Sequence, residues 1–202
     1  IFDTLTIGKE VNHSVLVALP LNLPKKELPI DPYVLGAWLG DGDSARGYIT
    51  SADEEIIEQI RSAGFQVDFS KNYRYVIREF YALLKEAGLI NNKHVPEEYL
   101  RASESQRLAL LNCLMDTDGY VDKDGACEFT CTNRELAYSV KDLALTLGVK
   151  PTIAEGEARL NGRYISQKWR VRFTADFPAF RLTRKFEKQK TKSTRVTKRR
   201  YI

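Results

Sequence analysis

The chain has 202 residues and a formal net charge of +4 at pH 7, with the 43% hydrophobic and 29% charged content of an ordinary globular protein. That length supports one good-sized core or two fused small ones. No apolar run approaches the roughly 18 residues of a membrane span and no signal-peptide pattern opens the chain, so a cytoplasmic protein is expected.

The first predicted element of consequence runs from Val34 to Gly42 and reads V-L-G-A-W-L-G-D-G. It is an apolar helix ending in an acid, Asp41, followed by glycine. A strand at Tyr48 comes next, then a helix capped by Asp53 and stopped at Gly64, then further strand. Arg46, Tyr48 and Thr50 alternate along one prospective strand, and Arg74, Val76 and Arg78 along another, with Tyr73 and Tyr75 on the opposite face. Each position also fits a plain solvated sheet surface.

The same order then recurs. Leu111 to Gly119 reads L-N-C-L-M-D-T-D-G, an apolar helix ending in Asp118 and glycine. Glu128-Phe-Thr-Cys-Thr predicts a strand, Asn133 a cap, and Gly148 a helix stop. The two aspartates are 77 residues apart, the two caps 80 (53 to 133) and the two glycines 84 (64 to 148), a drift that a few inserted loop residues explain. The chain is therefore a divergent tandem repeat.

Gly36 and Gly40 lie on one face of the first motif helix, and Cys113 and Thr117 occupy the matching positions of the second. Small residues at that spacing let two helix backbones approach closely. Trp38, Leu39, Leu114 and Met115 then pack into their own halves. Asp41 and Asp118 are brought side by side, and their repulsion calls for compensation by a divalent cation. The spacing equally fits a packing seam whose Asp-Gly ends only form turns.

Cys113, Cys127 and Cys131 are an odd number in a chain without a secretory signature, which predicts reduced thiols. A zinc site is rejected. Cys127 and Cys131 share the face of Phe129, and the only histidines, His13 and His94, do not supply a second ligand pair.

Towards the end the charge becomes lopsided. From Arg159 onward there are 15 Lys and Arg against two acids, leaving 16 bases and 25 acids in the rest. Within this stretch Gln167 to Thr174 alternates. Lys168, Arg170 and Arg172 share one strand face and Trp169, Val171 and Phe173 the other, a ribbon that can rest on a core and track phosphates. Polar strand faces in both repeats suit double-stranded DNA, whose major groove admits strands. Residues 190–202 read as a basic tail.

These paired motifs resemble the two dodecapeptide motifs of LAGLIDADG homing endonucleases. The stretches Phe80 to Leu89, Asn92 to Leu100 and Ser105 to Leu108 resemble the blocks between the motifs in intein-borne members. The resemblance covers about Leu28 to Lys188. It implies an α+β fold of tandem pseudo-symmetric αββαββα repeats, with two antiparallel saddle-shaped sheets and the motif helices paired at the centre. It also implies a monomer that hydrolyses both strands of a long DNA site using Mg²⁺, with Mn²⁺ as a substitute, leaving short 3′ overhangs. Asp41 and Asp118 match the catalytic, metal-binding acids, assisted by the carbonyls of Gly40 and Thr117. Lys93 matches the basic residue beside the first centre, and Lys185 is chosen as its second-repeat counterpart, although either position also fits a solvated lysine. Arg46, Tyr48, Arg74, Arg78, Lys168, Arg170 and Arg172 are the expected DNA contacts. The first motif has Leu39 where the second carries an additional acid, Asp116.

By the same resemblance, residues 1–30 link to an intein splicing domain, 31–104 and 105–189 are the two repeats, and 190–202 lead back to that domain. The opening Ile1 and the lack of a terminal His-Asn predict no self-splicing by this chain alone. A bacterial replicative DNA helicase is the expected host, and a prokaryotic cytoplasm, on the nucleoid, the expected location. Two other readings stay open: a maturase-like or repressor-like binder of nucleic acid that does not cut, and a structural intein insert without DNA function.

Overall fold

The structure, a computed structural model, describes residues 4, 6–8, 10, 11, 13–16, 18–190 and 199–201. Three short strands open it: β1 (Thr6–Ile7), β2 (Glu10–Val11) and β3 (Ser14–Leu16). The first repeat comprises α1 (Pro32–Asp41), β4 (Tyr48–Thr50), α2 (Glu54–Ser62), β5 (Val67–Phe69), β6 (Arg74–Ile77) and α3 (Phe80–Glu86). After α4 (Glu97–Leu100), the second comprises α5 (Glu104–Asp118), β7 (Gly119–Val121), β8 (Cys127–Cys131), α6 (Arg134–Thr146), β9 (Thr152–Leu160), β10 (Arg163–Phe173) and α7 (Thr183–Phe186). A last strand, β11 (Arg199–Tyr201), pairs with β3. Most of the predicted basic tail, 191–198 and 202, lies outside the described residues.

The fold is α+β with an antiparallel sheet in each repeat. The second repeat is a full αββαββα unit whose strands run β7-β8-β10-β9. The first departs from that expectation, because its sheet has three strands, β4-β6-β5. Where the second repeat has β7, the first has only an isolated bridge between Gly42 and Ile49. The loop from Asp43 to Gly47 closes on itself through Asp43, which accepts from the Ala45 N–H and the Tyr48 hydroxyl, so this stretch turns instead of extending. Arg46 sits in that turn rather than on the strand, and Arg78 falls just past β6. Tyr73, expected opposite Arg74, takes a left-handed φ of 59° in the turn before β6 and is exposed.

Local sequence explains the two motif helices. Asp31 caps α1 by accepting from the N–H groups of Tyr33 and Val34, and Pro32 opens the helix where a missing N–H costs nothing. Ser103 and Gln106 form a reciprocal capping box on α5. Residues Pro32 to Leu39 are buried, a helix apolar on every side because both repeats pack on it. One continuous core results, joining Trp38, Ile57 and Phe80 of the first half to Leu114, Phe129 and Val140 of the second.

The second predicted cap works as expected, since Asn133 accepts from the Leu136 N–H. The first does not: Asp53 precedes α2 without capping it, and its carboxylate is taken by Arg184 instead. Gly64 and Gly148 both adopt left-handed φ, 94° and 86°, as helix stops require. Among the described residues no helix is long and apolar enough to cross a membrane.

Candidate active site

Two helices meet where the sequence places its small residues. A Cβ on Gly36 would lie 2.7 Å from the Cβ of Cys113, and one on Gly40 would lie 2.6 Å from the Cβ of Thr117. Neither glycine could carry a side chain without separating α1 from α5. Trp38, Leu39, Leu114 and Met115 are buried in the core as expected.

This contact brings the C-terminal ends of both helices together. Gly42 and Gly119 end them alike, each N–H bonding four residues back, to the carbonyls of Trp38 and Met115. Neither glycine has positive φ. Each is needed because a Cβ would strike the preceding turn, Trp38 in one case and Met115 in the other.

Asp41 and Asp118 are the last helical residues, at the ends where the helix dipoles are already negative. Asp41 is half-buried, and desolvation, then the charge of Asp118, push its carboxyl up to about 6. Asp118 reaches solvent, yet the surrounding protein desolvates its carboxylate enough to raise its pKa as well. Two acids at two negative helix ends are an unfavourable arrangement that a hard cation with oxygen ligands would relieve. The donors at hand, two carboxylates and helix-end carbonyls, are all oxygen and fit such an ion. Among the described residues no group of three or more His, Cys, Asp or Glu gathers as a metal-ligand cluster.

Both lysines singled out in the sequence come to this point. Lys93 Nζ donates to the carbonyls of Leu39 at 3.2 Å and Gly42 at 2.7 Å, and lies 5.0 Å from the Trp38 ring centroid. Lys185 is buried and reaches the carbonyls of Met115, Asp116, Thr117 and Gly119, at 3.1, 2.5, 3.2 and 2.6 Å. Burial lowers the pKa of both ammonium groups, opposed by the nearby aspartates. An ammonium carries three protons, so Lys185 is fully occupied by backbone while Lys93 keeps a donor to spare. The Thr117 carbonyl is accordingly shared with Lys185, whereas no bond occupies that of Gly40 among the described residues.

Asp116, two positions before Asp118 in the second motif, is a structural acid. It is buried and accepts from the Tyr33 hydroxyl at 2.8 Å and from the N–H groups of Arg181 and Leu182 at 3.0 Å each. It thereby fixes the segment that delivers Lys185. The same segment clasps the first repeat: Arg181 bonds Gln59, Thr183 bonds Glu55, and Arg184 pairs with Asp53 at 2.7 Å. Asp53 is close enough to Asp41 to raise its pKa, and Arg184 partly neutralises it.

A residue absent from the sequence reading is Arg107. Fully buried, it donates to the carbonyls of Ala102 at 2.9 Å, Thr146 at 2.7 Å and Leu21. Gln106 bonds the N–H and carbonyl of Lys26, and the Tyr99 hydroxyl bonds both backbone groups of Ile30. The connecting arm from residue 18 to 30 is thus tied to the second repeat. A cation within the apolar run of α5 was the available signal.

The expected DNA contacts divide into two groups. In the first repeat the Arg74 guanidinium lies 4.4 Å from the Tyr48 ring centroid, the Tyr48 hydroxyl bonds Asp43, and Arg78 is paired with Asp68 at 2.7 Å. In the second, Lys168, Arg170 and Arg172 share a face of β10 as predicted, with Val171 and Phe173 in the core, and Arg172 pairs with Asp122. Cys113 and Cys127 are buried and Cys131 half-buried, all free thiols, and burial raises their pKa values.

Residues 105–178 match the family described as LAGLIDADG-like domain. The chain is 40% identical over 180 residues to the replicative DNA helicase DnaB of Mycobacterium intracellulare, covering 89% of this chain but only 30% of the helicase. Among solved structures it is similar to mesophilic variants of the homing endonuclease I-DmoI (TM-score 0.47, 20% identity, 72% of this chain and 88% of that one). It is similar also to I-DmoI in complex with DNA and Mn (TM-score 0.46, 18% identity, 72% and 89%).

Proposed function

From a chain that carries a LAGLIDADG-like domain and matches, over most of its length, less than a third of a bacterial replicative helicase, we propose the following reading. It is the DNA-cutting domain of an intein, a site-specific endonuclease that hydrolyses both strands of a long duplex target and leaves short 3′ overhangs. The observation that carries it is the meeting of Asp41 and Asp118 at two closely packed helix ends, each end held by a lysine.

Asp41 and Asp118 would hold Mg²⁺, for which Mn²⁺ substitutes, with the Gly40 carbonyl and the remaining lone pairs of the Thr117 carbonyl beside them. When bound, such an ion makes water a stronger nucleophile and neutralises the leaving oxygen. The chain's own groups do the rest. Lys93, with one proton uncommitted and its pKa lowered by burial, is placed to donate to the charge developing on a phosphate or to exchange a proton with the attacking water. Lys185 orients the second carboxylate by clamping its helix end. The cationic faces of the sheets position the duplex across both acids, since β4 and β7 follow the two helix ends in sequence.

A binder without cleavage would not require two desolvated acids at negative helix ends, a geometry that costs stability. A purely structural insert would require neither those acids nor an exposed row of cations. The test is incubation of plasmid carrying an uninterrupted bacterial replicative-helicase gene with Mg²⁺ and, separately, with EDTA. Linear product only with Mg²⁺ is expected. Intact plasmid together with a retarded band in a gel shift would favour the binder instead.

A further inference from the structure

The two repeats do not offer DNA equal surfaces. Strands of the first sheet have three or four residues, whereas β9 has nine and β10 has eleven. At about 3.3 Å per residue, β10 reaches roughly 36 Å against roughly 13 Å for β6. Only Trp169 to Phe173 of β10 pair with β8, so the rest of the β9–β10 hairpin is a two-stranded ribbon beyond the sheet.

Register gives that ribbon two unlike faces. Cross-strand partners share a face, so Arg172 stands beside Thr152, Arg170 beside Ala154, Lys168 beside Gly156 and Ser166 beside Ala158. One strand thus presents cations and its neighbour only small residues. The Lys168 side chain lies across Gly156, its Cε 3.8 Å from where a Cβ would be. Glu155 and Glu157 pair with Trp169 and Gln167 and fall on the other face.

A bulge between Tyr164 and Ser166 extends the pattern. Simple alternation would place Arg163 with the acids, but the extra residue shifts the register so that Arg163 pairs with Leu160, on the face of Ala158 and Gly156. Arg163, Lys168, Arg170 and Arg172 therefore line one face, at whose base Arg172 stands beside Glu128 of β8 and pairs with Asp122. Among the described residues the first three have no acid within ion-pair distance. In the first repeat, by contrast, Arg78 is held by Asp68 and Arg74 lies on Tyr48.

We propose that the β9–β10 ribbon grips duplex DNA well beyond the cleavage centre, so that the DNA contact of the second repeat is longer and more strongly electrostatic than that of the first. The occupant is double-stranded DNA because Arg163, Lys168 and Arg170, flanked by the small side chains of β9 and with Glu155 and Glu157 turned to the other face, complement a phosphate backbone. This rests on the endonuclease reading and adds to it an asymmetric footprint, of about ten base pairs on one side against about four on the other at 3.4 Å per step.

The test measures affinity for a random-sequence 40-base-pair duplex against salt, by fluorescence anisotropy, for the full chain and two triple variants. One is Arg163→Ala/Lys168→Ala/Arg170→Ala; the other is Arg46→Ala/Arg74→Ala/Arg78→Ala. Each lost phosphate contact lowers the slope of log K against log salt by about 0.9. The ribbon variant is expected to lose two to three units of slope and the first-repeat variant about one. Far-UV circular dichroism and Tm matching the parent chain show that both variants fold. A ribbon variant with unchanged slope would overturn the proposal and leave the ribbon to a protein partner. So would a first-repeat variant that loses as much. Absence of salt-dependent binding by the parent chain itself would overturn the endonuclease reading and this proposal with it.

Discussion

Lys93 and Lys185 hold equivalent places in the two repeats: Lys93 donates to the carbonyls of Leu39 and Gly42, and Lys185 to those of Asp116 and Gly119. Each carbonyl in the second set lies 77 residues after its counterpart, the same interval that separates Asp41 from Asp118. The duplication has therefore preserved an atomic contact between parts of the chain more than fifty residues apart in each half. It has not preserved the surplus, since Lys185 makes two further backbone bonds that Lys93 lacks.

That difference separates two variants. Lys93→Met should cut the cleavage rate by about 10²-fold or more, as loss of a positioned proton donor does, with a small change in Tm. Lys185→Met should instead lower stability by about 2–4 kcal/mol, because it strips a buried charged donor from several carbonyls at once. Single-turnover cleavage and thermal denaturation, measured side by side, check both expectations.

Asp41 and Asp118 should show a trade between function and stability. Asp41→Asn or Asp118→Asn should abolish double-strand cleavage and leave duplex binding largely intact. Asp41→Asn should also raise Tm in metal-free buffer at pH 7, since it removes a desolvated charge next to another. Full cleavage by either single variant would show that the metal ligands lie elsewhere.

The same carboxylate sets a pH dependence. Burial raises Asp41 from 3.8 to about 6, so the folded state binds the proton more tightly than the unfolded chain does. For an acid shifted this way the destabilisation is absent below about pH 4 and complete above about pH 6. It amounts to no more than about 3 kcal/mol at 1.36 kcal/mol per unit. Tm without divalent ions should therefore fall as pH rises through this window, and the fall should shrink in Asp41→Asn. Added Mg²⁺ should raise Tm at pH 7.5 and do so less at pH 5, where protons compete for the same oxygens.

Gly40→Ala tests the helix contact. Its Cβ would come within 2.6 Å of the Thr117 Cβ, so α1 and α5 must separate at the point where they present the two acids. A loss of about 1–3 kcal/mol from overpacking is expected, with a larger proportional loss of cleavage than of DNA binding.

Arg107→Met tests the connecting arm. It keeps the apolar stem and leaves the carbonyls of Ala102, Thr146 and Leu21 without their shared donor. A loss of about 2–4 kcal/mol is expected, and amide exchange should accelerate first in residues 18–30. Protection there equal to that of the parent chain would mean that the arm is held by packing alone.

Much of this molecule was legible in the order of its residues, because repetition and periodicity are local properties. The doubled apolar motif ending in Asp-Gly marked both helices, both acids and the small residues between them. The alternation from Gln167 to Thr174 marked the cationic face of β10, since a strand's side chains must point to opposite sides. What only the tertiary structure decided was which distant group each polar side chain meets. Asp53 has the sequence of a cap, yet Arg184 claims its carboxylate from 131 residues away. Asp116 looks like one more acid of the motif but is spent on Tyr33, Arg181 and Leu182. The second repeat extends through Val121 before it turns at Asp122, whereas the first turns at once after Gly42, because Asp43 finds Tyr48 and Ala45. Backbone propensity and hydrophobic pattern act between neighbours in sequence. A hydrogen bond or ion pair acts between neighbours in space, and those are settled only once the helices and sheets have packed.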